Sequence, residues 1–270
     1  MHTPTSLELR YPNPYCVEVW LNRPDVRNAF NATVIAELTQ VFQDIARNDT
    51  LRVVVLAAHG KAFCAGADLN WMQAMAGYSW EQNRADAQQL ADMLWTLDQC
   101  PVPIVGRVQG DCYAGGMGLA SVCDVLVAVE SMQFCLSEAR LGLMPATISP
   151  YVIRAMGVQA ARRYFVTAER FSAQQAHAMG MVHEVTTAEQ LDAVVAQQVR
   201  QLIANGPQAV RLCKQLVRDV AHQANTQSLR DDTAKRIADI RASAEGQEAT
   251  GQSKGKGEGK VGEGEACGTP

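Results

Sequence analysis

Pro103-Ile-Val-Gly-Arg-Val-Gln-Gly-Asp-Cys-Tyr-Ala-Gly-Gly-Met-Gly-Leu-Ala-Ser-Val-Cys-Asp124 runs an apolar stretch, a glycine cluster and a small apolar helix together in 22 residues. Ile104 to Val108 has the length and composition of a buried strand between turn signals. Gly115, Gly116 and Gly118 then allow close backbone approach, and Leu119 to Val122 is expected to be helical. A helix opened this way leaves its first N–H groups unpaired, where the helix dipole favours negative charge. Such a turn suits a phosphate, or an oxyanion formed during catalysis. It carries neither G-x-G-x-x-G nor a Gly-Lys-Ser/Thr end, so the usual nucleotide-binding loops are excluded. Tight helix packing alone would account for the same glycines.

A second loop of the same kind lies upstream, Gly60-Lys-Ala-Phe-Cys-Ala-Gly-Ala-Asp-Leu69. It follows another expected buried strand, Arg52 to Ala58, and opens a helix for which Asp68 is the natural N-cap. Two donor loops after two strands can supply two N–H groups to one anion.

With these loops in place the chain resembles the crotonase (enoyl-CoA hydratase/isomerase) family. The matching pieces are Leu21-Asn-Arg-Pro24 with Arg27-Asn-Ala29, Phe63-Cys-Ala-Gly-Ala-Asp-Leu69, Gly110 to Asp124, and Ser137-Glu-Ala-Arg-Leu-Gly-Leu-Met-Pro145. The likeness spans roughly residues 5 to 248. It implies an α/β fold, a crotonase-like spiral of β-β-α repeats, with a C-terminal helical region that builds a homotrimer, commonly paired into a hexamer.

Composition is compatible with that. The 270 residues are 47% hydrophobic with a net charge of −4. No apolar run is long enough for a membrane helix, no signal peptide is visible at Met1-His-Thr-Pro-Thr, and no basic footprint for nucleic acid exists. The eight cysteines form no C-x-x-C pair and sit mostly in apolar contexts. A reduced, cytoplasmic protein without a structural metal is expected.

Along the chain, Tyr15 to Leu21 is expected as a strand, with Leu7 to Tyr11 its antiparallel partner across Pro12-Asn-Pro14. Asn31 should cap a helix with the apolar face Val34, Leu38, Val41, Phe42 and Ile45. Trp80 to Cys100 reads as a long helix stopped by Pro101 and Pro103, and 124 to 129 as a strand. Short helices are expected over 150–156, 160–168 and 172–179, then a strand over 181–185. Three longer helices follow over 189–205, 207–222 and 228–244. The domain boundaries read as a spiral core over 1–190, a helical region over 191–248, and a Gly/Lys/Glu-rich tail over 249–270 that is expected to be disordered.

The resemblance also implies site residues. The Ala67 and Gly115 N–H groups match the family's pair of oxyanion donors. Glu138 matches its acid/base; among apolar neighbours, burial would raise the pKa of this carboxyl. The bland alternative for Glu138 is an N-terminal glutamate favoured by a helix dipole. Gly118 departs from the two-glutamate hydratases, which carry a second carboxylate there. Single-glutamate members include enoyl-CoA isomerases and a subset resembling bacterial methylglutaconyl-CoA hydratases. Phe134 to Gly157 looks most like that subset.

The resemblance places coenzyme A, as part of an acyl-CoA thioester substrate, along the first loop at Ala65, Asp68 and Leu69. Arg23, Arg27 and Lys61 are candidates for its phosphates, although exposed cations are more often solvated. No separate cofactor is implied. Ser137 has no histidine in any matching loop, which argues against an acyl-enzyme. The expected activity is hydration of a branched 2-enoyl-CoA. The alternatives are a double-bond isomerase, or a non-catalytic acyl-CoA-binding or RNA-binding member of the fold.

Overall fold

The structure is a computed structural model that describes residues 4–255. By internal contacts the chain divides into two units, residues 1–205 and 206–270.

In the first unit, β1 (Leu7–Asn13) and β2 (Cys16–Leu21) form the expected antiparallel hairpin. Helix α1 (Ala32–Ala46) follows, and the Asn31 side chain accepts from the Val34 N–H as its cap. Its buried face is Val34, Ile35, Leu38, Val41, Phe42 and Ile45, so the 3.6-residue periodicity translates directly into burial. Strand β3 (Val53–Ala58) is buried at all six positions, as a parallel strand covered on both faces must be.

The chain then repeats one pattern. β3 is followed by β4 (Ala62–Cys64), and after helices α2 (Leu69–Met75) and α3 (Trp80–Gln99) comes β5 (Ile104–Val108). β5 leads to β6 (Asp111–Tyr113) and α4 (Gly115–Ser121); β7 (Val125–Val129) leads to β8 (Gln133–Cys135) and α5 (Ser149–Met156). Each turn lays one strand in a six-stranded sheet and the next in a four-stranded sheet. Helix α6 (Val158–Thr167), β9 (Arg170–Ser172), α7 (Ala173–Ala178), β10 (Glu184–Thr186) and α8 (Leu191–Ala204) complete the unit. The sheet orders are β1-β2-β3-β5-β7-β10 and β4-β6-β8-β9. Parallel pairing links β2, β3, β5, β7 and β10 in the large sheet and β4, β6 and β8 in the small one.

In the first unit, these expectations change. The three-residue strands β4, β6 and β8 lie where loops or strand ends were expected. Helix α4 begins at Gly115 rather than Leu119, so the glycines are themselves helical. The strand expected over 181–185 begins at Glu184. Helix α8 belongs with the core rather than the C-terminal region: Leu191 and Val195 are buried, and Val194, Val199 and Leu202 pack against the core. The apolar stripe on α8 is satisfied inside the first unit.

The second unit holds α9 (Pro207–Val220), α10 (Gln227–Ala242) and α11 (Ala244–Gly255). Helix α11 extends into the segment expected to be disordered; residues 256–270 of that tail lie outside the described residues. The Glu245 carboxylate accepts the Gln208 N–H at 3.0 Å and the Ala209 N–H at 2.9 Å, at the first turn of α9. That interaction ties the start of α11 to the start of α9. Replacing an N-terminal cap costs about 1 kcal/mol. Glu245→Ala should therefore lower stability by that amount in denaturant unfolding, while Glu248→Ala should not change it.

Candidate active site

Three strands of the small sheet run parallel and end at one edge. β4 pairs with β6 (Ala62↔Asp111, Cys64↔Cys112) and β6 pairs with β8 (Cys112↔Phe134, Tyr113↔Cys135). The three residues singled out for chemistry follow just after these strands: Ala67 after Cys64, Gly115 after Tyr113, Glu138 after Cys135. The register of the sheet brings them to the same edge.

The first loop is fixed to the segment after β2. Ala65 N–H donates to the Arg27 carbonyl at 3.0 Å, Phe30 N–H to the Gly66 carbonyl at 2.7 Å, and Asp68 N–H to the Phe30 carbonyl at 2.8 Å. The buried Asn28 donates through Nδ2 to the carbonyls of His59 and Ala62 at 2.8 and 2.9 Å. Gly66 has φ +91°, and a β-carbon built there would lie 2.8 Å from Ala114 Cβ and 3.7 Å from the Gly115 nitrogen. Only glycine fits both that backbone and that proximity. The two loops therefore touch at the glycine preceding Ala67.

Ala114 turns the chain from β6 into α4 with φ 48° and ψ −122°, an uncommon conformation for a residue with a β-carbon. Its N–H donates to the Cys135 carbonyl at 2.8 Å, which ties the turn to β8. Backbone strain of this kind costs about 1–3 kcal/mol and concentrates where function requires it. Its result is that Gly115 becomes the first residue of α4, whose N–H has no partner within the helix. Among the described residues, neither the Ala67 nor the Gly115 N–H donates to a backbone carbonyl across loops.

Glu138 opens a short 3-10 turn (Glu138–Leu141) after β8. It is half-buried, and its Oε2 atom is buried without a hydrogen-bond partner. Burial pushes its pKa above the ordinary 4.5, against a smaller opposing effect of its own N–H. A carboxyl so placed holds or releases a proton closer to neutrality than an exposed one. No second carboxylate can stand at position 118 without rearrangement. A β-carbon on Gly118 would lie 2.6 Å from Ile148 Cγ2, 3.1 Å from Ile148 Cβ and 3.3 Å from Leu94 Cδ2. Apolar side chains fill that space.

The residues expected along coenzyme A divide. Ala65 is half-buried beside the Arg27 carbonyl, whereas Leu69, Arg27 and Lys61 are exposed. Asp68 is buried and caps α2 through the Asn70 and Trp71 N–H groups. Burial opposes its ionisation, but the Arg23 guanidinium and those N–H donors outweigh it and lower its pKa. Arg23 is the correction: its Nη2 donates to Asp68 at 2.9 Å and its Nη1 to the Ala29 carbonyl at 2.6 Å. It braces the first loop and is not a free phosphate ligand. Sequence reasoning missed Phe30, Ile148 and Leu94. The absent side chains at Gly115 and Gly118 were the available signal, since they imply close neighbours.

Among the described residues, no group of three His, Cys, Asp or Glu is placed to hold a metal ion. None of the described helices is long and apolar enough to cross a membrane. A groove of about 1000 Å³ lined by Leu9, Tyr11, Val17, Ala36, Gln40 and Ile45 shares no residue with the site. Concavity alone does not mark the chemistry.

A spiral of β-β-α turns whose small sheet delivers two backbone N–H groups and one half-buried carboxyl to a single edge is the crotonase fold. The crystal structure of an enoyl-CoA hydratase from Shewanella pealeana ATCC 700345 is 41% identical, with a TM-score of 0.90 and 94% of each chain covered. That of an enoyl-CoA hydratase from Mycobacterium smegmatis is 29% identical, with a TM-score of 0.88, covering 93% of this chain and 96% of that one. An enoyl-CoA hydratase of Alternaria alternata is 36% identical over 226 residues, 82% of this chain and 72% of that protein. Residues 15–253 match the family described as enoyl-CoA hydratase/isomerase, and the chain belongs to that family.

The closed space at Gly118 generates a prediction. Gly118→Glu should lose more than the ~1–3 kcal/mol typical of overpacking, because a charge is buried as well. Ile148→Ala should relieve part of that loss, so a double-mutant cycle followed by denaturant unfolding should be non-additive. Independent sites would add within about 0.5 kcal/mol, which would show that Ile148 does not close the space.

Proposed function

We propose that the protein is an enoyl-CoA hydratase, adding water across the double bond of a branched, conjugated 2-enoyl-CoA of the methylglutaconyl type. One observation carries the reading: a buried, partnerless carboxyl oxygen on Glu138 at the sheet edge that also presents two N–H groups. The likeness of Phe134 to Gly157, the segment carrying both Glu138 and Ile148, supports the acyl class.

In the proposed reaction the thioester oxygen accepts from the Ala67 and Gly115 N–H groups. Glu138, ionised, takes a proton from water as the oxygen of that water bonds to the β-carbon. The π electrons move to the thioester oxygen and form an enolate held by the two donors. As the C=O re-forms, Glu138 returns its proton to the α-carbon. The balance is addition of one water. Each preorganised donor of this kind is worth about 10²–10³ in rate. Exposed Arg27 and Lys61 would meet the phosphates of coenzyme A, and Ala65, Asp68 and Leu69 would line its path. No separate cofactor enters the scheme.

A double-bond isomerase is the second reading, favoured by the apolar filling at Gly118. Moving one proton between two carbons needs only one carboxylate. As for assembly, α9 and α10 bury no residue within the chain, and Leu212, Leu216, Val217 and Ile237 are exposed. Those exposed apolar side chains support self-association, and we propose a homotrimer, alone or paired as a hexamer, with a cytoplasmic location as a separate proposal.

Incubation of 2-enoyl- and 3-enoyl-CoA thioesters in H₂¹⁸O separates the two activities. Hydration adds the mass of water, with ¹⁸O at the β-carbon. Conversion of 3-enoyl-CoA at unchanged mass, with no 2-enoyl-CoA gaining ¹⁸O, would establish the isomerase instead. In either case Glu138→Gln should lose about 10²–10⁴ in turnover, the worth of a positioned acid/base, while remaining folded. The pH dependence has a definite sign. Glu138 must be ionised to accept a proton, so the acid limb of kcat/KM should lie above the ordinary pKa of 4.5, in the direction burial shifts it. Because the folded-state pKa is raised, ionisation opposes folding above the unfolded pKa, and this cost disappears as pH falls below it. Glu138→Gln should therefore melt higher than the parent at neutral pH, and the gap should narrow in acid.

A further inference from the structure

Phe30 touches both halves of the donor pair. It lies between the turn after β2 and the Asn31 cap of α1, and it is 1% exposed. Its main chain forms an isolated parallel bridge with Ala67. The Phe30 N–H donates to the Gly66 carbonyl at 2.7 Å, and its carbonyl accepts from the Asp68 N–H at 2.8 Å. In a parallel bridge the bracketed residue keeps its own N–H on the far side. The bridge therefore immobilises Ala67 while leaving its donor free of Phe30.

The side chain reaches the other donor. A β-carbon added to Gly115 would lie 2.8 Å from Phe30 Cε2 and 3.0 Å from Cδ2. The ring edge thus rests against the backbone of Gly115, where nothing larger than hydrogen fits. The base of this strut is also fixed. Arg23 Nη1 donates to the Ala29 carbonyl at 2.6 Å, and Asn28 bonds the carbonyls of His59 and Ala62. A phenyl ring is rigid, with only two rotatable side-chain bonds behind it. The distance from the bridge to the ring edge is therefore set by covalent geometry rather than by a flexible chain.

We infer that Phe30 is a positioning residue that sets the separation of the Ala67 and Gly115 N–H donors. Its backbone holds one and its ring limits the approach of the other. It touches no reacting atom and acts only through these two peptides. The inference rests on the oxyanion reading given under the proposed function. It assigns to a buried aromatic, otherwise indistinguishable from core, a share in transition-state geometry.

Phe30→Leu in the full chain keeps the backbone bridge and an apolar side chain but is smaller and removes the ring edge facing Gly115. Phe30→Met is the second variant, filling the same space with a flexible thioether. Circular dichroism and melting temperature establish that each is folded. A displacement near 1 Å at a reacting centre costs up to about 10²-fold, so kcat for a 2-enoyl-CoA should fall about 10- to 100-fold. KM should stay within about twofold, because a carbonyl gains most of its hydrogen-bond strength only as charge builds on its oxygen in the transition state.

The direct readout is the infrared stretch of a ¹³C-labelled thioester carbonyl in a bound saturated acyl-CoA. Two donors should lower that frequency in the parent, and it should move back toward the free value in both variants. Simple loss of packing would lower the melting temperature without moving the carbonyl band. A folded variant with parental kcat and parental carbonyl frequency overturns the inference for Phe30 alone. A parent that binds acyl-CoA with no carbonyl shift overturns the oxyanion reading, and the Phe30 inference with it.

Discussion

The parallel pairing of β4, β6 and β8 is the constraint on which the site depends. Three short strands in register bring three chain segments, far apart in sequence, to a common edge. Hydrogen bonding along the strands fixes where each segment leaves the sheet, and the residues that follow inherit that precision. The large sheet and its helices keep this edge from shifting. β3 and β5 each continue into the small sheet after a few residues, so one sheet cannot slide without moving the other. Chemistry built from backbone N–H groups needs such support, because a peptide can be aimed only by the chain that contains it.

Electrostatics gives the same edge its character. Two N–H groups at a strand-to-helix turn present partial positive charge. Glu138 follows β8 at that edge, and its Oε2 atom is buried without a hydrogen-bond partner. An unpaired buried oxygen is costly, and the cost is expressed as a raised pKa. In the proposed mechanism that cost yields a carboxyl able to take and return a proton. Ile148 and Leu94 occupy the space where a second carboxylate would stand, which avoids the repulsion of two like charges in a dry site. In the proposed reaction Glu138 is then the site's single acid/base.

Much of this was legible in the residues, for identifiable reasons. Asn31 and Asp68 announced helix starts because a short polar side chain before an apolar stripe has few other uses. Pro101 and Pro103 marked the end of α3 because proline cannot continue a helix. The glycines flanking the two loops signalled close approach, and Gly118 signalled a missing carboxylate only through the resemblance to the two-glutamate hydratases. Other features were not legible. Strands of three residues are too short to show alternation, so β4, β6 and β8 could not be separated from the loops around them. Helix α4 begins at glycines, poor helix formers, because packing against β4 and β6 outweighs propensity. Arg23 looked like a free cation, since its partner Asp68 lies 45 residues away. Phe30 reads as ordinary core: its contact with Gly115 spans the first two turns of the spiral, and no local pattern encodes it.

The central claim is that the Ala67 and Gly115 N–H groups converge on one thioester oxygen, with Glu138 facing the adjacent carbons. A crystal structure of the protein with a saturated acyl-CoA bound tests it most directly. The account predicts both nitrogens within hydrogen-bonding reach of the carbonyl oxygen, about 2.7–3.1 Å, and the Glu138 carboxyl against the α- and β-carbons. A thioester oxygen held by a side chain, or reached by only one of the two peptides, would contradict it.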